Sequence, residues 1–133
     1  MKHVKVFIEK SEYGFSAYMD DTPLDYGCIG EGRTVEGTID DFNKSYAGMR
    51  DYYESIGKPF EEIQYEFYYD TASFLDEYCK AFSLAGLERI TGVSQAQLGH
   101  FLHGRRNPSA KPVAKIQEGV EKFAHELTAV RFA

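Results

Sequence analysis

Three aspartates, Asp20, Asp21 and Asp25, lie close together in the chain and have the residue type and spacing of a metal-dependent catalytic site. Clustered carboxylates can hold Mg²⁺ for phosphoryl transfer, so one hypothesis is a Mg²⁺-dependent nuclease. The three residues belong to a predicted loop, however, and Asp40 and Asp41 belong to the outward face of a predicted helix. We therefore interpret all five as a solvated acidic surface.

The histidines and cysteines offer no second catalytic arrangement. His100 and His103 have i, i+3 spacing, but no cysteine or acidic residue stands near them in the sequence to complete a metal site. Cys28 has no neighbouring base and forms no CxxC pair with Cys79, which favours free thiols in a reducing cytoplasm. We predict no catalytic residue, no metal and no cofactor, and hence a protein that is not an enzyme.

The strongest functional pattern extends from Ser83 to Gln117. Two short predicted helices meet at Gly92, which can adopt the positive φ that a sharp turn requires. This arrangement is typical of a helix-turn-helix DNA-binding module. Polar side chains on the second helix can contact base edges, and basic residues follow beside a further helix start that can bind phosphate. The predicted DNA-binding residues are Ser94, Gln95, Gln97, His100, Arg105, Arg106 and Lys111.

Glu88 is the residue that fits this pattern least. Many helix-turn-helix domains carry a small residue, often Ala, at this position. A charged side chain there must either tilt outward or push the two helices to a wider crossing. A plain helical bundle that does not bind DNA is the alternative interpretation of the same segment.

The charge of the chain is distributed unevenly. Residues 1–70 contain 7 Lys and Arg against 15 Asp and Glu, whereas residues 71–133 contain 8 against 6. Within Ser83–Gln117 there are 5 basic residues and 1 acid. An acidic half joined to a locally basic half indicates two partners of opposite charge.

The elements that must position these residues follow from the apolar periodicity. In the first half, short runs of alternating apolar residues predict strands. Thr34 is then the predicted N-cap of a long helix, and Gly57 is predicted to end that helix. The apolar stripe of this helix has spacings of 4 and 3 and consists of Val35, Ile39, Phe42, Tyr46, Met49, Tyr53 and Ile56.

The second half is predicted to be all-helical, with four helices. Ser94 is the expected cap of the third and Ser109 that of the fourth, in which Pro112 occupies the first turn. We place the domain boundary near Asp70. The predicted fold is α+β: a small antiparallel sheet with one packed long helix in residues 1–70, then an all-α helix-turn-helix domain in residues 71–133.

The first half resembles the HicB family of antitoxins, through the segments VKVFIEKSEYGFSAYMDD and GCIGEGRTVEGTIDDF. The family pattern is strand, turn, strand ending in acidic residues, Gly-Cys, Gly-x-Thr and an amphipathic helix. The residues that match it in order are Asp20, Gly27, Cys28, Gly32 and Thr34. The second half is similar to the helix-turn-helix appended to HicB-like proteins, through Gly92, Val93, Ser94, Gln95, Gly104 and Pro108.

This resemblance implies a partial ribonuclease-H-like domain without catalysis, whose partner is a small basic mRNA-cleaving toxin (HicA-like). It also implies that the helix-turn-helix binds operator DNA and represses the operon of a type II toxin–antitoxin pair. We expect at least a homodimer, because one short recognition helix gives little specificity. The alternative is an orphan helix-turn-helix transcription regulator whose N-terminal domain only oligomerises or senses.

The sequence predicts a cytoplasmic protein without a membrane partner. No run approaches the ~18 apolar residues of a membrane span. The N-terminal segment alternates charged and apolar residues and lacks the continuous apolar stretch of a signal peptide.

Overall fold

A four-stranded mixed sheet and five helices make up the α+β structure, a computed structural model that describes every residue from Met1 to Ala133. The chain divides into two units, unit 1 (Met1–Asp70) and unit 2 (Thr71–Ala133). Unit 1 contains the sheet and the longest helix, and unit 2 contains the other four helices. No helix combines the length and apolar content that a membrane span requires.

The sheet of unit 1 has the strand order β3-β2-β1-β4. The elements are β1 (Lys2–Ser11), β2 (Gly14–Met19), β3 (Ile29–Gly32), α1 (Val35–Ser55) and β4 (Ile63–Tyr69). The pairs β1–β2 and β2–β3 are antiparallel, but β4 runs parallel to β1, so the prediction of a purely antiparallel sheet is wrong. The reason is that α1 returns the chain to the end of the sheet where β1 begins. β4 therefore enters in the direction of β1, whereas a hairpin would have reversed it.

One face of this sheet packs on α1. The helix begins as predicted, because the Thr34 hydroxyl accepts a hydrogen bond from the Gly37 N–H (3.0 Å). The stripe residues that are buried or partly buried are Val35, Ile39, Phe42, Tyr46, Met49 and Tyr53. The prediction is wrong for Ile56, which is 54% exposed, since α1 ends at Ser55 and Gly57 turns the chain with φ +68°.

Unit 2 contains the four predicted helices: α2 (Thr71–Tyr78), α3 (Leu84–Thr91), α4 (Gln95–Leu102) and α5 (Ala110–Thr128). Its core residues are Leu75, Leu87, Val93, Leu98, Phe101 and Ile116. Phe82 lies beyond the end of α2 rather than within it, and its ring packs on that of Phe123 (centroids 5.8 Å apart). In α5, Ile116 is buried and Val120 and Phe123 are half-buried, whereas the apolar residues nearer the two ends, Val113 and Leu127, are exposed.

Candidate functional site

The turn between α3 and α4 is short and held by hydrogen bonds. Gly92 adopts φ +76°, the left-handed conformation expected from the sequence, and its N–H donates to the Glu88 carbonyl (2.8 Å). The Thr91 hydroxyl donates to the Leu87 carbonyl (2.6 Å) and accepts from the Val93 N–H (3.1 Å). Because Val93 is itself buried, the direction in which α4 leaves the turn is determined by packing as well as by the backbone.

α4 presents polar side chains opposite its buried residues Leu98 and Phe101. Among the predicted DNA-binding residues, Ser94 and Gln95 are exposed, while Gln97 and His100 are half-buried. Side-chain amides and imidazoles on one short helix can contact base edges in a major groove. The Ser94 hydroxyl also accepts a hydrogen bond from the Gln97 N–H (3.2 Å), so this residue caps the helix as the sequence predicts.

Glu88 tilts outward, the first of the two arrangements that its charge allows. Its Oε1 accepts a hydrogen bond from the backbone N–H of Gln95, the first residue of α4 (2.7 Å). A carboxylate at this place satisfies an orphan N–H and interacts favourably with the positive end of the helix dipole. Sequence reasoning missed this role, because the two residues are seven apart on different helices and only the fold brings them together.

A surface cleft of about 320 Å³ joins α4 to the start of α5. We call it the α4–α5 cleft. The residues that line it are Val93, Gln97, Ser109, Lys111, Pro112 and Lys115. Two lysines of α5, Lys111 and Lys115, therefore line the same cleft as Gln97 of α4. Lys115 was not among the predicted site residues, although its i, i+4 spacing from Lys111 is a signal that could have found it.

The start of α5 contributes positive potential to the same cleft. Ser109 occupies the N-cap position, but its hydroxyl makes no capping hydrogen bond, so the prediction that it caps the helix holds for position only. Pro112 has no N–H to satisfy in the first turn. The remaining N–H groups lie at the positive end of the helix dipole, beside Lys111, and this combination attracts anions.

Arg105 and Arg106 lie outside the cleft lining, in the loop between α4 and α5. Both side chains are exposed, and no carboxylate pairs with either guanidinium. The loop begins with Gly104 at φ +69°, and the Arg105 N–H donates to the His100 carbonyl (2.9 Å). His103 is the C-cap residue of α4.

The carboxylates of unit 1 point to separate partners. Asp20 accepts hydrogen bonds from the Thr22 hydroxyl (2.6 Å), the Thr22 N–H (3.0 Å) and the Lys5 N–H (2.9 Å), and these bonds lower the pKa of Asp20. Asp25 pairs with Lys58 (3.0 Å). No group of three or more His, Cys, Asp or Glu side chains is arranged to hold a metal ion. Asp20, Asp21 and Asp25 therefore do not form one three-carboxylate cluster.

Both cysteines are free thiols, Cys28 buried and Cys79 exposed. Burial raises the pKa of the Cys28 thiol, and a hydrogen bond with Ser45 opposes that shift only in part. A thiol held in its neutral form is a poor nucleophile.

Unit 2 therefore combines a polar helix start, a cleft with two lysines and a loop with two unpaired arginines. Unit 1 carries an acidic surface whose carboxylates are dispersed among different partners. Comparison of this chain with protein-family models, with curated proteins and with solved structures finds no match.

Proposed function

We propose that this protein is the antitoxin of a type II toxin–antitoxin pair, and that it represses its own operon by binding operator DNA. In this proposal α3 and α4 form a helix-turn-helix, and unit 1 is a HicB-like domain of partial ribonuclease-H-like fold that covers a small basic mRNA-cleaving toxin. The protein acts at least as a homodimer, since two recognition helices read half-sites about 34 Å apart.

The observation that carries the DNA-binding half is the α4–α5 cleft. Its lining includes Gln97, whose amide can hydrogen-bond to base edges, and Lys111 and Lys115, whose ammonium groups can bind phosphate. The start of α5, which has no side-chain cap, offers free N–H groups that also suit phosphate. The exposed arginines Arg105 and Arg106 extend the cationic surface along the following loop. Phosphate contacts from such residues orient a protein on the duplex, while the polar start of α4 reads the bases.

Charge supports the antitoxin half. Unit 1 has 15 acidic against 7 basic residues, a surface that attracts a basic protein and repels nucleic acid. The sequence resemblance to HicB antitoxins lies in the same unit.

A binding measurement with the protein's own promoter tests the DNA-binding half. Fluorescence anisotropy should show binding at low salt that weakens steeply as the salt concentration rises. The slope of the logarithm of the binding constant against the logarithm of salt concentration should decrease in magnitude by about 0.9 for each phosphate contact that a substitution removes. The double variants Arg105→Ala/Arg106→Ala and Lys111→Ala/Lys115→Ala should each reduce that slope. Lys122→Ala, an exposed lysine farther along α5, is the matched control and should bind as the parent does.

The antitoxin half is tested by co-expression with any neighbouring reading frame that encodes a basic protein of under about 100 residues. Co-purification, together with suppression of RNA cleavage by that protein, is the expected result. If this protein binds the promoter but binds no product of a neighbouring gene, the orphan-regulator alternative replaces the antitoxin. If the unsubstituted protein does not bind the promoter even at low salt, the DNA-binding half of the proposal is refuted.

A further inference from the structure

The sheet of unit 1 has a second face that α1 does not cover. Alternation along β1 turns Val4, Val6 and Ile8 into the core and leaves Lys5 and Phe7 on the opposite face. On the other strands the side chains of this open face include Tyr18, 39% exposed, Tyr68, 42% exposed, and Ile29, 65% exposed. Large apolar side chains that remain in solvent on a sheet face are typical of an interaction surface.

Strand register brings four of these side chains into one line. Phe7 lies opposite Tyr18 on β2 and opposite Tyr68 on β4, and Tyr18 lies opposite Ile29 on β3. The four residues therefore form a single row across all four strands, which we call the aromatic row. The rings of Phe7 and Tyr18 are in contact, with centroids 5.7 Å apart.

Carboxylates lie beside this row. The Tyr18 hydroxyl donates to Glu9 (2.6 Å), and the Tyr68 hydroxyl donates to Glu66 (2.8 Å). The Glu9 hydrogen bond, with burial and the negative charges of Glu9 and Asp70, raises the pKa of Tyr18 to about 12. Each tyrosine ring is thus held next to a negative charge that retains a second acceptor oxygen.

The open face already holds one cation of its own. The Lys5 ammonium lies 5.4 Å from the centroid of the Tyr68 ring. Aromatic faces attract Lys and Arg through the ring quadrupole, and a neighbouring carboxylate strengthens that attraction. The same carboxylates repel a phosphate backbone, and they repel a second copy of this acidic face.

We propose that the open face of the sheet binds a protein segment that presents arginine or lysine side chains, with the aromatic row as the contact surface. This deepens the proposed antitoxin function, because it assigns the face on which a basic toxin would bind. A cation of the partner stacks on Tyr18 or Tyr68 and pairs with the free oxygen of Glu9 or Glu66. Phe7 contributes apolar contact between the two tyrosines, and Ile29 contributes it beyond Tyr18, on the edge strand β3.

A titration of the full-length ¹⁵N-labelled protein with an (Arg-Gly)₄ peptide tests this assignment without any toxin. Amide shift changes should concentrate at Phe7, Tyr18 and Tyr68, and an equal (Glu-Gly)₄ peptide should produce none. The variant Tyr18→Leu/Tyr68→Leu keeps apolar bulk but removes both ring faces, and it should weaken peptide binding roughly tenfold. Glu9→Gln/Glu66→Gln should also weaken binding and reduce its salt dependence.

The matched control is Tyr13→Leu/Tyr52→Leu, which removes two exposed tyrosines of unit 1 from outside the row. The proposal is overturned if this control weakens binding as much as the row variant does. It is also overturned if the shifts lie on the acidic face of α1, around Asp40 and Asp51. The proposal also fails if the peptide leaves the amides of the row unshifted while a uridine oligonucleotide or a second copy of the chain shifts them. The open face would then bind RNA or another copy of this protein. Absence of a toxin would refute the antitoxin function but leave the peptide result standing.

Discussion

Glu88 provides a graded test of how α4 is held in place. Its carboxylate accepts the Gln95 N–H at 2.7 Å, so Glu88→Gln keeps an acceptor oxygen but loses the charge, whereas Glu88→Ala loses both. A negative charge at a helix start contributes about 0.3–1 kcal/mol, and replacing a capping acceptor by Ala costs about 1 kcal/mol. Because Glu88 is exposed, we expect the lower end of the first range. The free energy of unfolding of unit 2 should fall by about 0.3–0.5 kcal/mol in Glu88→Gln and about 1 kcal/mol in Glu88→Ala.

Amide hydrogen exchange measured by NMR is the suitable assay, because the chain contains no Trp to report on unit 2. A loss of about 1 kcal/mol corresponds to roughly fivefold faster exchange at amides that exchange through opening of α4, such as Leu98 and Phe101. Glu118→Gln is the matched control, since it removes the same charge from an exposed position in the middle of α5. Exchange in Glu88→Ala that equals that of this control would refute the capping role.

The Glu88→Gln substitution also separates an effect on stability from an effect on DNA binding. Glu88→Gln removes a negative charge from the start of the proposed recognition helix, where phosphates would approach. Operator affinity should therefore rise at low salt even though unit 2 becomes less stable. A fall in affinity that parallels the fall in stability would show that α4 does not meet the DNA at this end.

Three further changes test the packing and the pH dependence. Gly119→Ala should destabilise unit 2 by about 1–3 kcal/mol in urea unfolding, because the added Cβ would overlap the Ile90 carbonyl; a neutral result would refute the close α3–α5 packing. Gly48→Ala should stabilise unit 1 by up to about 1 kcal/mol, since a Cβ there meets nothing and Ala favours the helix; a loss of stability would contradict the exposed setting of this residue. Hydrogen bonds from Thr22 lower the pKa of Asp20 below its ordinary 3.8, so its stabilisation is complete above that pH and is lost as the pH falls through the lower value. Asp20→Asn should flatten the acid limb of the stability curve of unit 1, and an unchanged limb would contradict the assignment.

Local pattern was sufficient for most elements of this protein. The 4 and 3 spacing behind Thr34 predicted α1 to within one residue of its end, because helix periodicity depends only on neighbours a turn away. Gly92 predicted the turn between α3 and α4 for the same kind of reason, since few residues other than glycine adopt its positive φ. The charge division between the halves was likewise a property of the sequence alone.

Residues distant in the chain were positioned only by the tertiary structure. The parallel entry of β4 depends on where α1 returns the chain, which no local pattern encodes. The hydrogen bond between Glu88 and Gln95 joins α3 to α4, and the cleft that Gln97 and Lys115 both line lies between α4 and α5. In the sheet, strand register decides that Phe7, Tyr18, Ile29 and Tyr68 form one row, whereas the sequence shows only that each lies in a strand. Sequence determined the elements because their formation is local, and the fold decided which of their side chains act together because that depends on pairing and packing across the chain.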